Sequence, residues 1–439
     1  MCLHHIAILR SLRPALAAPA LLVFCALAPA NGEERKIVVV TSFPEELTTR
    51  YEQEFEKRHP GVHVQYVWKQ SRDALAELSK PEQGGADVYW APTLANFSIL
   101  RERGAFRPIK VERAVLPGKL ANQRISDPDG RFEAFDVAGY GVAMNAPLAA
   151  SENLAAPKRW AELARPDYAR RLVMPIPAKV GFSPALYDIF LQSEGWDAGW
   201  SLLSEMASEA ALLDQGALPT AQVKEGKAVF GLTIDFFAVS AKANGAPVEM
   251  IYPARTAFLP AHIAMTASSP HIDDAQAFID FALSKDGQKL MMERDSMRHP
   301  ARPDAYDEKP AALVDPFKLP SNVILDYDFE IGRRRPPLVT LLFDLAIVEN
   351  HAQNAALWRA IHAAEKSAPD EARARALAEA RQFMSFMPVS NVEARDVAFL
   401  GKFGSRDAID PATIAKWREE IAASRQKARD VLAGLGVAP

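Results

Sequence analysis

KIVVVTSFPEELTTRYEQEFEKRHPG runs from Lys36 to Gly61. Ile37–Val40 is apolar throughout, with no alternation, which is the pattern of a strand buried on both faces. Thr41-Ser42-Phe43-Pro44 breaks it with a short corner rich in hydroxyls. A helical pattern then runs over Pro44–Arg58 and stops at His59-Pro60-Gly61, where Pro and Gly cannot continue it. Buried strand, hydroxyl corner and helix together make half of a parallel βαβ unit.

The same alternation continues outward. Val62–Trp68 and Asp87–Trp90 read as strands, Arg72–Leu78 and Leu94–Arg103 as helices. Gly139–Met144, Leu172–Met174, Phe230–Thr233, Val248–Tyr252 and Ile263–Met265 read as further strands. Trp160–Leu163 reads as the start of a helix and Ser183–Ser193 as a full one. Another helix follows Phe230–Thr233 and runs through Lys242. Asp273–Met292 reads as one long amphipathic helix. From about Pro303 a proline-punctuated stretch leads into four helical runs, Leu338–Asn350, Ala355–Lys366, Asp370–Phe386 and Pro411–Ala433. The fold class is therefore α/β, with a helical C-terminal extension over 304–439.

A chain of 439 residues has room for two or three domains. Its net charge of −4 and pI near 6.2 speak against nucleic acid as a partner. Residues 1–30 differ from the rest. Arg10 and Arg13 precede an acid-free apolar run, and Ala28-Pro29-Ala30 supplies the small residues of a signal-peptidase site. Cleavage near Ala30 and a periplasmic destination are expected. The run is short for a membrane anchor. Cys2 and Cys25 both fall inside it, so the exported chain would carry no disulfide and no thiolate metal site.

Parallel sheets bind ligands at the carboxyl ends of their strands, where helix N-termini offer free N–H groups. Thr41, Ser42 and Phe43 lie at such a corner, although Ser and Thr there also serve simply as helix caps. Similar corners recur at Trp90 to Thr93, at Gly181-Phe182-Ser183, at Thr220 before a helical stretch, and at Thr233-Ile234-Asp235. Five such corners suggest two facing lobes and one cleft. Trp90 either packs in the core or stacks on a ligand. Asp235 either caps the following helix or accepts from a solute. Tyr140, between Gly139 and Gly141, lines either a cleft or a hinge. Arg255, with Lys179, is a candidate charge partner for an anion. His59 and His63 are four apart but separated by Pro60-Gly61, which keeps them off one helical face, and no metal or cofactor is expected. Arg333-Arg334-Arg335 reads as a solvated run. His299-Pro300 reads as a turn.

The ordered set VVVTSFPEELTTRYEQEFEKRHPGVHVQYV, GADVYWAPTLANFSILRERGAF, GYGVAMNAPL, RWAELARPDYARRLVMPIP, VKEGKAVFGLTIDF and AQAFIDFALSKDGQKLM spans roughly residues 36–303. In this order the segments resemble the extracellular solute-binding proteins of ABC transporters, in the branch of ferric-iron, thiamine, putrescine and sugar-phosphate binders. The resemblance implies a type II periplasmic-binding-protein fold with parallel-sheet lobes joined by hinge strands. Lobe 1 would take 31–139 and 253–303, and lobe 2 would take 140–252. Iron-binding members commonly carry adjacent tyrosines at the end of this core. Here MERDSMRHPARPDAY holds Tyr306 alone, which points away from iron and toward a small organic anion, such as a phosphorylated sugar or phosphoglycerate. The extension resembles that of periplasmic regulators of phosphoglycerate transport.

Two partners follow from the resemblance, an ABC permease or a membrane sensor kinase. The leading expectation is a binding component of an importer and not an enzyme. The first alternative is a ligand sensor and the second a secreted hydrolase. No G-x-S-x-G, Walker-type or H-E-x-x-H pattern supports the hydrolase.

Overall fold

The computed structural model describes residues 35–366, 370–404 and 409–438, so the expected signal peptide lies outside the described residues. A ten-stranded sheet forms the centre. Its strands are β1 (Arg35–Thr41), β2 (Val62–Trp68), β3 (Val88–Ala91), β4 (Glu133–Asn145), β5 (Leu172–Pro175), β6 (Ala211–Leu213), β7 (Phe230–Ile234), β8 (Val248–Ile251), β9 (Phe258–Met265) and β10 (His299–Pro300). The order is β2-β1-β3-β9-β4-β7-β5-β6, with β8 and β10 also paired to β4.

β1 lies parallel between β2 and β3, with Ile37 opposite Val64 and Val39 opposite Val88. That position explains its unbroken apolar run, whereas β2, at the edge, alternates buried and exposed residues. α1 (Glu45–Arg58) buries Leu47, Tyr51 and Phe55, one per turn, and the chain leaves it through Gly61, whose φ of +86° suits glycine. α2 (Ser71–Leu78) and α3 (Leu94–Glu102) follow β2 and β3.

β4 joins two halves of the sheet. Up to Gly139 it pairs with β9 and β10, and from Tyr140 onward it pairs with β7. The first half, with β1–β3, is lobe 1. The second, with β5–β8, is lobe 2, together with α4 (Ala146–Ser151), α5 (Ser183–Glu194), α6 (Trp196–Ser208), α7 (Leu218–Lys224) and α8 (Asp235–Ala243). The chain returns through Tyr252–Ala257 into β9, then forms α9 (Ile272–Leu283) and α10 (Lys285–Leu290). Lobe 1 centres on Trp90, whose ring lies 4.8 to 5.0 Å from those of Phe43, Tyr51 and Phe135. Such pairs each contribute about 0.5–1.5 kcal/mol beyond their buried area.

Several expectations change. The helix expected over Asp273–Met292 is two helices. Ser284 is extended between them, and its hydroxyl accepts from the Gly287 N–H at 3.0 Å. The expected helix at Trp160 is a short 3-10 turn. α6 went unread, although Trp196, Trp200, Leu203 and Ala207 lie on its buried face. β4 begins at Glu133, six residues before the expected start. His299-Pro300, expected as a turn, is a strand on β4.

The extension is not a separate layer. Tyr306 and Leu313 complete the core of lobe 1. Beyond Leu325, α11 (Pro336–Phe343), α12 (His351–Glu365), α13 (Glu371–Met384) and α14 (Pro411–Gly434) follow. α11 shares the lobe 2 core with α5 and α6. The arginine run belongs to this contact. Arg335 is buried against Asp188 of α5 at 2.6 Å, and Arg333 reaches Glu102 of α3 in lobe 1 at 3.0 Å. Both were expected in solvent, and both are shielded instead by paired carboxylates.

Candidate functional site

The first turns of α1 and α8 come together across the two lobes. Between them lies a cavity of about 370 Å³. Pro44, Glu46, Leu47 and Arg50 line it from lobe 1, and Phe236, Phe237 and Ser240 from lobe 2. Asp295, Ser296 and Arg298 close it from the segment after α10. A hollow of about 1010 Å³ at the far end of α8 shares Asp295 with it. The lobes are tied there by Ser240 Oγ, which donates to the Arg294 carbonyl at 2.8 Å.

Arg298 is the central cation. Its guanidinium lies 5.1 Å from the Phe43 ring of lobe 1 and 4.5 Å from the Phe236 ring of lobe 2. Nη1 donates to Asp136 of β4 at 3.0 Å. Nε and Nη2 have no hydrogen-bond partner among the described residues, and that edge is the one that grips a carboxylate or phosphate with two bonds. The preceding residue, Met297, has a φ of +45°, a strained value for a side-chain-bearing residue and one often found beside functional groups. Arg50 differs. Its Nε and Nη2 face Glu293 and Asp295 at 3.1 and 2.7 Å, and Nη1 donates to the Leu290 carbonyl.

A buried polar layer lies beneath Arg298. Burial raises the Asp136 pKa from its ordinary value, and Arg298 opposes that rise. Asp235 Oδ2 accepts from the Gly139 N–H at 2.6 Å and the Tyr252 hydroxyl at 3.2 Å. His299 Nδ1 lies 3.1 Å from the same oxygen, close enough to attract but off the line of a hydrogen bond. Burial first, and the Asp235 charge second, push the Tyr252 phenol well up, so it stays a neutral donor.

The model of the bacterial extracellular solute-binding proteins matches residues 97–324, just over half of the chain. The chain belongs to the bacterial extracellular solute-binding protein family. Among curated relatives of this solute-binding protein is the phosphoglycerate transport regulatory protein PgtC of Salmonella typhimurium, 28% identical over 274 residues. Those residues are 62% of this chain and 66% of PgtC, just under two thirds of the relative. Two solved structures share the fold. The periplasmic binding protein AfuA from Actinobacillus pleuropneumoniae, with fructose-6-phosphate bound, aligns with a TM-score of 0.57 at 20% identity. It covers 71% of this chain and 98% of its own. Iron-bound HitA from Pseudomonas aeruginosa aligns with a TM-score of 0.56 at 17% identity, over 70% of this chain and 98% of its own.

None of the twelve residues singled out in the sequence lines the 370 Å³ cavity directly. Phe43 and Asp235 flank it, as neighbours of Pro44 and Phe236. The Thr41 hydroxyl is engaged by the backbone of its own corner. It accepts from the Phe43 N–H at 3.1 Å and so folds the corner, while Ser42 beside it is half-buried. Phe43 and Trp90 pack in the lobe 1 core. Tyr140 is buried in the lobe 2 core, and its carbonyl accepts from the Thr256 hydroxyl at 2.6 Å. Ser183 is buried and donates to the Val180 carbonyl, and Gly181 is exposed. Phe182 packs 6.2 Å from Phe237, one ring behind the cavity wall. Thr220 lies inside α7, not before it, and its hydroxyl meets that of Thr233 at 3.2 Å. Thr93 precedes α3 without capping it. Arg255 is exposed and donates to the Ser193 carbonyl at the C-terminal end of α5, away from the cavity, and Lys179 is exposed as well. Cavity-lining residues that the sequence reading did not single out include Glu46, Phe236, Phe237 and Arg298. Glu46 and Arg50 are four apart on α1, beside the Thr41–Pro44 corner, and helical spacing alone places them on one face.

Proposed function

We propose that this protein is the periplasmic solute-binding component of an ABC importer, holding a small organic solute by one anionic head in the cleft between the lobes. The lobes divide at Gly139/Tyr140 and at Tyr252/Pro253. The observation that carries the reading is Arg298, which lines the cavity, whose Nε and Nη2 have no partner among the described residues and whose faces touch rings of both lobes. A solute on that edge bridges the lobes and favours the closed form by its differential affinity. Solute leaves unchanged, so chemical identity of the recovered ligand distinguishes binding from hydrolysis.

The test is a thermal-shift screen of residues 31–439 against phosphorylated sugars, phosphoglycerates, carboxylates, thiamine and polyamines, with Arg298→Gln beside the wild type. A ligand at 100 times its Kd stabilises the native state by about 2.7 kcal/mol. An anion that shifts the wild type and not Arg298→Gln supports the reading. A solute that shifts both equally, or a polyamine as the sole ligand, overturns it.

A second reading has one observation of its own. AfuA covers 71% of this chain with nearly all of its length, so the extension is additional to the shared binding fold. PgtC is named a regulatory protein. In this reading the closed form engages a membrane sensor kinase through the extension. Kinase autophosphorylation that responds to solute-loaded protein, with no stimulation of a permease ATPase, would select it.

A further inference from the structure

The charges around the cavity limit the solute further, on the premise that an anionic head sits on Arg298. Four charged side chains line the cavity: Glu46, Arg50, Asp295 and Arg298. Arg50 and Asp295 neutralise each other at 2.7 Å, and Glu293 takes the other edge of Arg50. Asp136 already balances Arg298 from behind. Glu46 is exposed and has no ion pair or hydrogen bond among the described residues. Among the described residues the cavity lining therefore offers one free cationic edge and one free carboxylate, together with the apolar Pro44, Leu47, Phe236 and Phe237. A solute with a second anionic group would meet Glu46 with no uncommitted cation to offset it. A volume of about 370 Å³ suits a small solute whose ends reach both groups.

We infer that the cleft selects a zwitterionic solute, with one phosphate or carboxylate on the Nε–Nη2 edge of Arg298 and a protonated amine at Glu46. Glu46 is then a specificity-determining residue. The competing role for Glu46 is a solvated acid favouring the N-terminal dipole of α1. That role requires no particular solute.

The experiment is calorimetric titration of residues 31–439 at low ionic strength, where exposed charges are least screened. Three probes share a phosphate on a short chain and differ at the other end: O-phosphoethanolamine, sn-glycerol 3-phosphate and 3-phosphoglycerate. Affinity should fall in that order, with about tenfold between the ammonium and carboxylate ends. Glu46→Gln should compress that ratio to about twofold, both by weakening the amine and by strengthening the carboxylate. Arg298→Gln should weaken all three. Wild-type affinity for 3-phosphoglycerate equal to or above that for O-phosphoethanolamine refutes the inference and leaves the anion site standing. So does a ratio unchanged in Glu46→Gln, which assigns Glu46 to the helix dipole alone. No binding of any probe refutes the anion site itself, and the inference with it.

Discussion

Arg335 and Asp188 carry the sharpest stability prediction, because they fasten the extension to lobe 2 by a fully buried ion pair. Arg335 Nε meets Asp188 Oδ1 at 2.6 Å, with both side chains essentially inaccessible to solvent. Asp188 Oδ2 accepts from the Tyr327 hydroxyl at 2.7 Å and from Gln192 at 2.9 Å, whereas Arg335 Nη2 has no partner among the described residues. Removing one member of such a pair strands the other charge, at about 3–5 kcal/mol. Asp188→Asn strands a guanidinium that already lacks one bond, so its cost lies at the upper end of that range. Arg335→Met strands a carboxylate that keeps two donors, so its cost lies nearer about 3 kcal/mol. The double variant leaves no buried charge, and its cost should fall short of the summed singles by at least about 2 kcal/mol. Urea titration followed by circular dichroism and by fluorescence reads all three, since Trp196 lies 5.3 Å from the Arg335 guanidinium. Lobe 2 and the extension share one core and should unfold in one transition, with Tm falling by roughly 2–4 °C per kcal/mol. Single variants within about 0.5 kcal/mol of wild type, or a strictly additive double variant, would refute the reasoning.

Three further predictions rest on separate groups. Burial pushes the His262 imidazolium down from 6.5 to about 4. The unfolded chain therefore takes up a proton that the folded one refuses, and stability drops as pH falls from 6.5 to 4, by up to about 3 kcal/mol; His262→Gln should flatten that part of the stability–pH curve. Gly141→Ala would place a Cβ 2.2 Å from the Ile251 carbonyl oxygen, so it should lower the denaturation midpoint by the equivalent of about 3 kcal/mol or more. Arg425 is buried without a carboxylate partner, and burial lowers its pKa to about 10. Arg425→Met strands no opposite charge but leaves Asn354 Oδ1 without its arginine donor, so it should cost about 1–2 kcal/mol in the same titration, short of Arg335→Met.

Ile37–Val40 was legible because a strand buried on both faces leaves an unbroken run of β-branched residues, and Val62–Trp68 because an edge strand alternates apolar with polar residues. β4 was legible only from Gly139 onward. Its first half carries Glu133 and Asp136, which read as polar, and only the fold supplies Arg113, Ser126 and Arg298 to satisfy them. The same limit hid the site. Arg298 stands in a segment of Met, Arg, His and Pro with no periodicity, and its partners Phe43, Asp136 and Phe236 come from three distant elements. The hydroxyl corners were visible, but a sequence does not say where a hydroxyl points. Thr41 and Ser183 turn theirs onto their own backbone. The arginine run misled for a related reason, since local charge density reports solvent only until a buried carboxylate such as Asp188 is brought opposite.

On the proposed anion site, one side chain, Arg298, would serve both solute and closure. A guanidinium buried for the solute alone would lose its hydration in the empty protein, and that cost would subtract from affinity. Asp136 and the Phe43 ring hold it from lobe 1 alone, so much of its orientation is fixed before any solute arrives. Phe43 and Asp136 belong to lobe 1, but Phe236 belongs to lobe 2. Opening the cleft removes the Phe236 face, worth about 0.5–2 kcal/mol for a partly desolvated cation. The free edge of Arg298 is therefore best screened from water in the closed arrangement, where a charged head bound to it interacts most strongly. Under that proposal, binding and closure would favour each other through a single residue, without a separate relay between cleft and hinge.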